Sequence, residues 1–286
     1  MATKVWLGND SGNEGDLNTA ANWDPSGVPG SSDDLFFRDS SQAVTAGFTD
    51  IATIVSLDID QSWTGTFSDY FQVTCPTVNL GGKSGFTQAN GSAAILLDLK
   101  TGASTVNVHN SGSAATAGQA AIKIKGNNSS NVLNHRKGSV ELEPDATETG
   151  EFGTVNISFV DNRDGDAKLV VGSNVTVTTW KQTGGQNILR AAATTVTVNG
   201  GHLTTEGSGA ITTLNANGGT TVANSSGTIT TANVTGKLDL LQSMEARTIT
   251  TLNLDPGGTL CYDPDVITTS NQVDSTEPVQ LTAQKP

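Results

Sequence analysis

At 286 residues, with 35% hydrophobic and only 5% aromatic side chains, the chain cannot fill a wide globular core; it suits a thin one to which each short strand contributes one or two aliphatic groups. Charged residues make up 15%, too few for a charge-rich disordered polymer. The net charge of −13 disfavours phosphate backbones and anionic membranes, so nucleic acid and membrane are excluded as partners.

The opening MATKVWLGND has no apolar signal core, and runs such as Ala93-Ala94-Ile95-Leu96-Leu97 are too short to span a bilayer, which predicts synthesis in a cytoplasm without N-terminal export. Residues 1–90 hold three of the four tryptophans (Trp6, Trp23, Trp63) and most phenylalanines (Phe36, Phe37, Phe48, Phe67, Phe71, Phe86). This concentration predicts an N-terminal β cap or lobe. From 91 to 264, β-branched residues alternate with polar ones between Gly, Asn, Ser and Asp clusters, the mark of strands and turns. Thr105-Val106-Asn107-Val108, Ala121-Ile122-Lys123-Ile124-Lys125, Ser139-Val140-Glu141-Leu142-Glu143 and Asn174-Val175-Thr176-Val177-Thr178 each place aliphatic groups on one strand face.

An internal repeat follows. Thr195-Val196-Thr197-Val198-Asn199-Gly200-Gly201 aligns with Thr213-Leu214-Asn215-Ala216-Asn217-Gly218-Gly219, then with Thr231-Ala232-Asn233-Val234-Thr235-Gly236 and, about twenty residues on, with a fourth copy, Thr248-Ile249-Thr250-Thr251-Leu252-Asn253-Leu254-Asp255-Pro256-Gly257-Gly258. Ile211-Thr212-Thr213, Ile229-Thr230-Thr231 and Ile249-Thr250-Thr251 repeat in step. A period near twenty fits one coil of a parallel β-helix-like solenoid, with equivalent residues stacked rung on rung and glycine supplying positive φ at the corners. A Greek-key sandwich with Asn-Gly hairpins is the competing arrangement. Residues 265–286, with two prolines and little alternation beyond Val279-Gln280-Leu281, predict an extended C-terminal tail. The fold class is thus all-β: a solenoid at 91–264, an N-terminal cap at 1–90 and a tail at 265–286.

Chemistry-bearing groups are scattered. His109, His135 and His202 belong to no catalytic motif and are expected in solvent-facing turns. Glu141 and Glu143 on one strand face and the cluster Asp161, Asp164 and Asp166 have a composition suited to glycoside cleavage, but a solvated acidic turn is the favoured reading. The loops Asp161–Asp166 and Asn9–Asp16 are oxygen-rich yet match no calcium-binding pattern. Cys75 and Cys261 lie in no metal-binding spacing and read as small buried or half-buried residues, their pairing left open. Trp6, Trp23, Arg163, Arg190 and Arg247 are open to either packing or interface roles. No catalytic, metal-binding or cofactor-binding residue is assigned, and the expectation is a non-enzymatic protein.

Val5-Trp6-Leu7-Gly8, Ala20-Ala21-Asn22-Trp23, Gly27-Val28-Pro29 and Asp33-Asp34-Leu35-Phe36-Phe37 together resemble a module that opens β-helical surface proteins, among them autotransporter-type adhesins and tailed-bacteriophage virion proteins. Ser56-Leu57-Asp58-Ile59-Asp60 with Trp63-Thr64-Gly65-Thr66 is similar to a stretch found in phage structural proteins. The resemblance covers about the first seventy residues and, loosely, the repeats from 195 to 260. It implies a capsid decoration (cement) protein on the outer surface of the virion, homotrimeric and bound to the major capsid protein. A tailspike or polysaccharide-binding β-helix protein is the alternative that it implies.

Overall fold

The computed structural model describes residues 2–83, 85–86, 95–112, 119–142, 148–157, 167–242 and 247–262, and the backbone of 267–274 and 280–283. Two compact units divide the chain, Met1–Phe152 and Gly153–Pro286. The described residues are strands and turns, with one 3-10 turn at Ala20–Asn22.

The first unit contains β1 (Thr3–Trp6), β2 (Trp23–Asp24), β3 (Asp34–Phe37), β4 (Ser56–Ile59), β5 (Phe71–Gln72), β6 (Thr77–Gly81), β7 (Ile95–Asp98), β8 (Thr105–Asn110), β9 (Ile122–Lys125), β10 (Asn127–His135) and β11 (Gly138–Leu142). Strand β12 (Gly150–Ile157) has residues of both units. One sheet runs β2-β1-β3-β4-β6-β8-β10 and the other β5-β7-β9-β11. Their pairings are parallel except β1 with β2. The antiparallel β2 forms the outer strand beside β1, and Pro25 directly after it lacks an amide donor, so this edge is a poor template for further pairing.

Alternation along these strands sends every second side chain inward. Register then stacks the inward residues in columns such as Leu35–Leu57–Val78–Val106–Leu133, all buried. The aromatic residues expected in a separate cap fill the interior of these same first coils. Trp6, Trp23, Phe37, Trp63, Phe67 and Phe71 are all buried, and their rings meet at centroid distances of 5.1 to 5.8 Å.

The second unit continues with β13 (Ala167–Val171), β14 (Val175–Gln182), β15 (Gln186–Leu189), β16 (Ala192–Val198), β17 (His202–Thr205), β18 (Ile211–Ala216), β19 (Thr220–Ala223), β20 (Ile229–Val234), β21 (Lys237–Asp239), β22 (Arg247–Leu254), β23 (Thr259–Tyr262), β24 (Ile267–Asp274) and β25 (Gln280–Ala283). Even-numbered strands from β14 to β24 make one parallel sheet and odd-numbered strands from β13 to β25 the other. Each coil therefore uses two strands and two turns. The sequence repeat is the register itself: Thr195, Thr213, Thr231 and Thr251 are successive partners, as are Ala193, Ile211, Ile229 and Ile249. This parallel ladder selects the β-helix-like solenoid over the sandwich, whose neighbouring strands would be antiparallel.

The segment expected as an extended tail forms a further coil, β24 pairing with β22 and β25 with β23, both parallel. Its pattern was obscure because the register sets Thr269, Gln272 and Asp274 beside Ile249, Leu252 and Leu254. Polar residues at positions that earlier coils fill with aliphatics erase the alternation.

Candidate binding surface

Threonine and asparagine recur at alternate positions of the longer sheet strands, with an aliphatic residue between them. In β6 and β8 these are Thr77-Val78-Asn79 and Thr105-Val106-Asn107; in β18, β20 and β22 they are Thr213-Leu214-Asn215, Thr231-Ala232-Asn233 and Thr251-Leu252-Asn253. The middle residue is buried, while its neighbours are half-buried on the outer face. Parallel register aligns like with like, and the asparagines bond to one another. Within the first unit, the Asn134 amide donates to Asn107 at 2.9 Å, Asn107 to Asn79 at 3.0 Å, and Asn79 to the Asp58 carboxylate at 3.0 Å. Within the second, Asn253 donates to Asn233 and Asn233 to Asn215, both at 2.7 Å, and Asn215 to the Thr197 hydroxyl at 3.2 Å.

A ladder of side-chain amides adds hydrogen bonds between coils parallel to those of the backbone. Asn233→Ala removes two of them and is expected to lower unfolding free energy by about 1 to 2 kcal/mol. Asn217→Ala, which breaks one exposed contact to Asn199 at 3.0 Å, should cost less than half of that. Urea titration of both variants checks the order, and equal costs would deny the ladder a role in stability.

The motif residues of the N-terminal segment have architectural work in the first coils. Asn22 is fully buried: its side-chain oxygen accepts from the Asp10 amide at 2.8 Å, and its side-chain nitrogen donates to the carbonyls of Asn13 at 2.6 Å and Asp16 at 2.9 Å. Trp23 donates to the Leu17 carbonyl at 2.9 Å, and Trp6 and Trp63 both reach the Gln42 carbonyl at 3.2 Å. Asp33 accepts from the backbone amides of Gly30 and Ala2, bonds that hold its carboxyl below the usual carboxylate range. Asp34 accepts from the Ser56 hydroxyl of the next coil at 2.5 Å. The two tryptophans left open at the sequence level, Trp6 and Trp23, are thus core residues.

The acidic loop Asn9–Asp16 is closed by its own bonds. Asp10 accepts from Asn13, Glu14 from the Gly12 amide and Asp16 from the Asn18 amide. Backbone amides, that of Glu14 itself foremost and then Gly12, lower the Glu14 pKa. Among the described residues no group of three or more His, Cys, Asp or Glu side chains is placed to hold a metal ion. The loop Asp161–Asp166, Arg163 and Glu143 lie outside the described residues. Glu141 pairs with Lys123 at 3.0 Å and Arg190 with Glu206 at 2.9 Å, while Arg247 is buried.

The histidines do not share one environment. His109 and His202 are exposed, and His202 Nε2 lies 3.2 Å from the Thr204 hydroxyl. His135, expected in a solvent-facing turn, is instead fully buried at the end of β10, where register extends the column Phe37–Ile59–Leu80–Val108 to it. Cys75 and Cys261 are free thiols. Cys75 is buried, which pushes its pKa up to about 11, and it donates to the Thr77 carbonyl at 2.9 Å.

Among the described residues no helix is long and apolar enough to cross a membrane. No family model, no curated protein and no solved structure matches the chain. Its class is set by the fold alone: a parallel β-solenoid with stacked threonine and asparagine on its outer faces.

Proposed function

We propose that this chain is a structural virion protein that binds the outer surface of a tailed-phage capsid, through the major capsid protein, and stabilises the expanded shell. The observation that carries the reading is the opening module. The residues that resemble those of phage virion proteins, Trp6, Asn22, Trp23, Asp33 and Asp34, are the ones that tie the first coils together. A stacked solenoid offers a stiff body for this role, because its backbone donors and acceptors are engaged rung on rung. A protein that binds the expanded lattice and not its ruptured form shifts the equilibrium toward the intact shell. The acidic balance, with ten acidic and two basic side chains in residues 1–60, keeps particles apart by mutual repulsion.

Quantitative mass spectrometry of purified virions tests the reading through the copy number of this chain relative to the coat protein. A number comparable to the coat protein is expected. A handful of copies would instead assign it to a tail fibre or spike, and absence from virions would overturn the phage assignment.

A further inference from the structure

The outer face of the second unit's even-numbered sheet differs from the rest of that unit. Along β14, β16, β18, β20 and β22 the positions that are not buried carry threonine, asparagine, Ala192 and a single charge, Lys181. The other sheet bears Lys168 and the Lys237–Asp239 pair on its strands. The face is also periodic. Thr179, Thr195, Thr213, Thr231 and Thr251 form one row in register, and Thr197, Asn215, Asn233 and Asn253 a second. Beside the first row, Thr178, Thr194, Thr212 and Thr230 are exposed.

We infer that this face pairs with the same face of a second copy of the chain. Three properties select that partner. Rows spaced by the inter-strand distance of about 4.8 Å are commensurate with a surface of the same repeat, and a second copy supplies it. Threonine hydroxyls and asparagine amides each carry a donor and an acceptor, so the face is complementary to itself, as a two-fold interface requires. Two chains of net charge −13 repel, and this face lets them meet without opposing carboxylates. Identical low-charge β surfaces with stacked asparagine interdigitate in the same manner in steric zippers.

The area suffices. The five strands β14 to β22 are six to eight residues long, and at about 3.3 Å per residue and about 4.8 Å per strand they present about 550 Å² per copy, near the lower bound for a specific pair. The inference does not depend on the capsid reading: a chain bound to virions as single copies would refute the pairing alone, and a self-associating chain absent from virions would refute the capsid role alone.

Light scattering on the full chain, coupled to size exclusion, gives the test. The wild type is expected at twice the 29.4 kDa chain mass or a higher multiple. The double variant Thr212→Glu/Thr230→Glu, which puts carboxylates at two exposed positions on neighbouring strands, is expected at the monomer mass with its circular dichroism unchanged. If those glutamates unfold the coil, Thr230→Arg is read in the same way. A wild type that stays monomeric up to the highest soluble concentration overturns the inference, as does a folded variant that keeps the wild-type mass.

Discussion

Gly219→Ala is expected to destabilise the second unit by about 3 to 5 kcal/mol, enough to unfold it at moderate temperature. Two effects add there. Gly219 has φ +63, in the left-handed region where a Cβ costs about 1 to 2 kcal/mol. A Cβ would also lie 2.2 Å from the Gly201 carbonyl oxygen of the preceding coil, and backbone cannot swing aside as a flexible side chain does. Neighbouring variants separate these effects. Gly257 has φ +87 and no atom within 4 Å of the added Cβ, so Gly257→Ala isolates the conformational cost, about 1 kcal/mol. Gly218 is not in the left-handed region, yet its Cβ would approach the Asn199 oxygen to 2.5 Å, so Gly218→Ala isolates the overlap. Thermal and urea unfolding should rank Gly219 above Gly218 and Gly218 above Gly257. Equal costs for all three would mean that the corners do not stack backbone on backbone.

The same corner shows why the second unit was legible in the sequence. When equivalent residues stack in a parallel ladder, the steric demand at one rung recurs at the next, so Gly200-Gly201, Gly218-Gly219 and Gly236 repeat with the strands that precede them. In the first unit the offset between bonded partners is 21 from Asp58 to Asn79, 28 from Asn79 to Asn107 and 27 from Asn107 to Asn134. Turns of unequal length break the period, and aromatic density alone suggests a cap or lobe, whereas the rings lie inside the same coils. His135 shares parity with buried Leu133 on β10 and so faces inward, whereas the polar run Asn134-His135-Arg136-Lys137 reads as a turn. The last coil was hidden because polar residues stand in register with Ile249, Leu252 and Leu254. The asparagine ladders show another limit: Thr-x-Asn was visible as a pattern, whereas the amide-to-amide bonds follow only once the register is fixed.

The second large effect is expected at the aromatic interior of the first unit. Phe37 is fully buried, and its ring meets those of Trp6, Trp23, Trp63 and Phe67 at 5.8, 5.8, 5.1 and 5.5 Å. Three of these four contacts are edge-to-face, a geometry that adds to the area buried. Phe37→Ala should therefore cost about 4 kcal/mol through lost transfer energy and the cavity left behind, and Phe37→Leu about half of that. Phe36, one position earlier on β3, faces the other way: it is half-exposed, with the Arg38 guanidinium 5.4 Å from its ring centroid. Phe36→Ala should cost under about 1 kcal/mol, since an exposed cation–π pair contributes little. Tryptophan emission gives an independent readout, because Trp6, Trp23 and Trp63 are at most 1% exposed and a loosened cluster would shift their emission to the red. If the two alanine variants unfolded at the same denaturant concentration, strand β3 would not present Phe37 to the core, and the column from Phe37 to His135 would lose its first member.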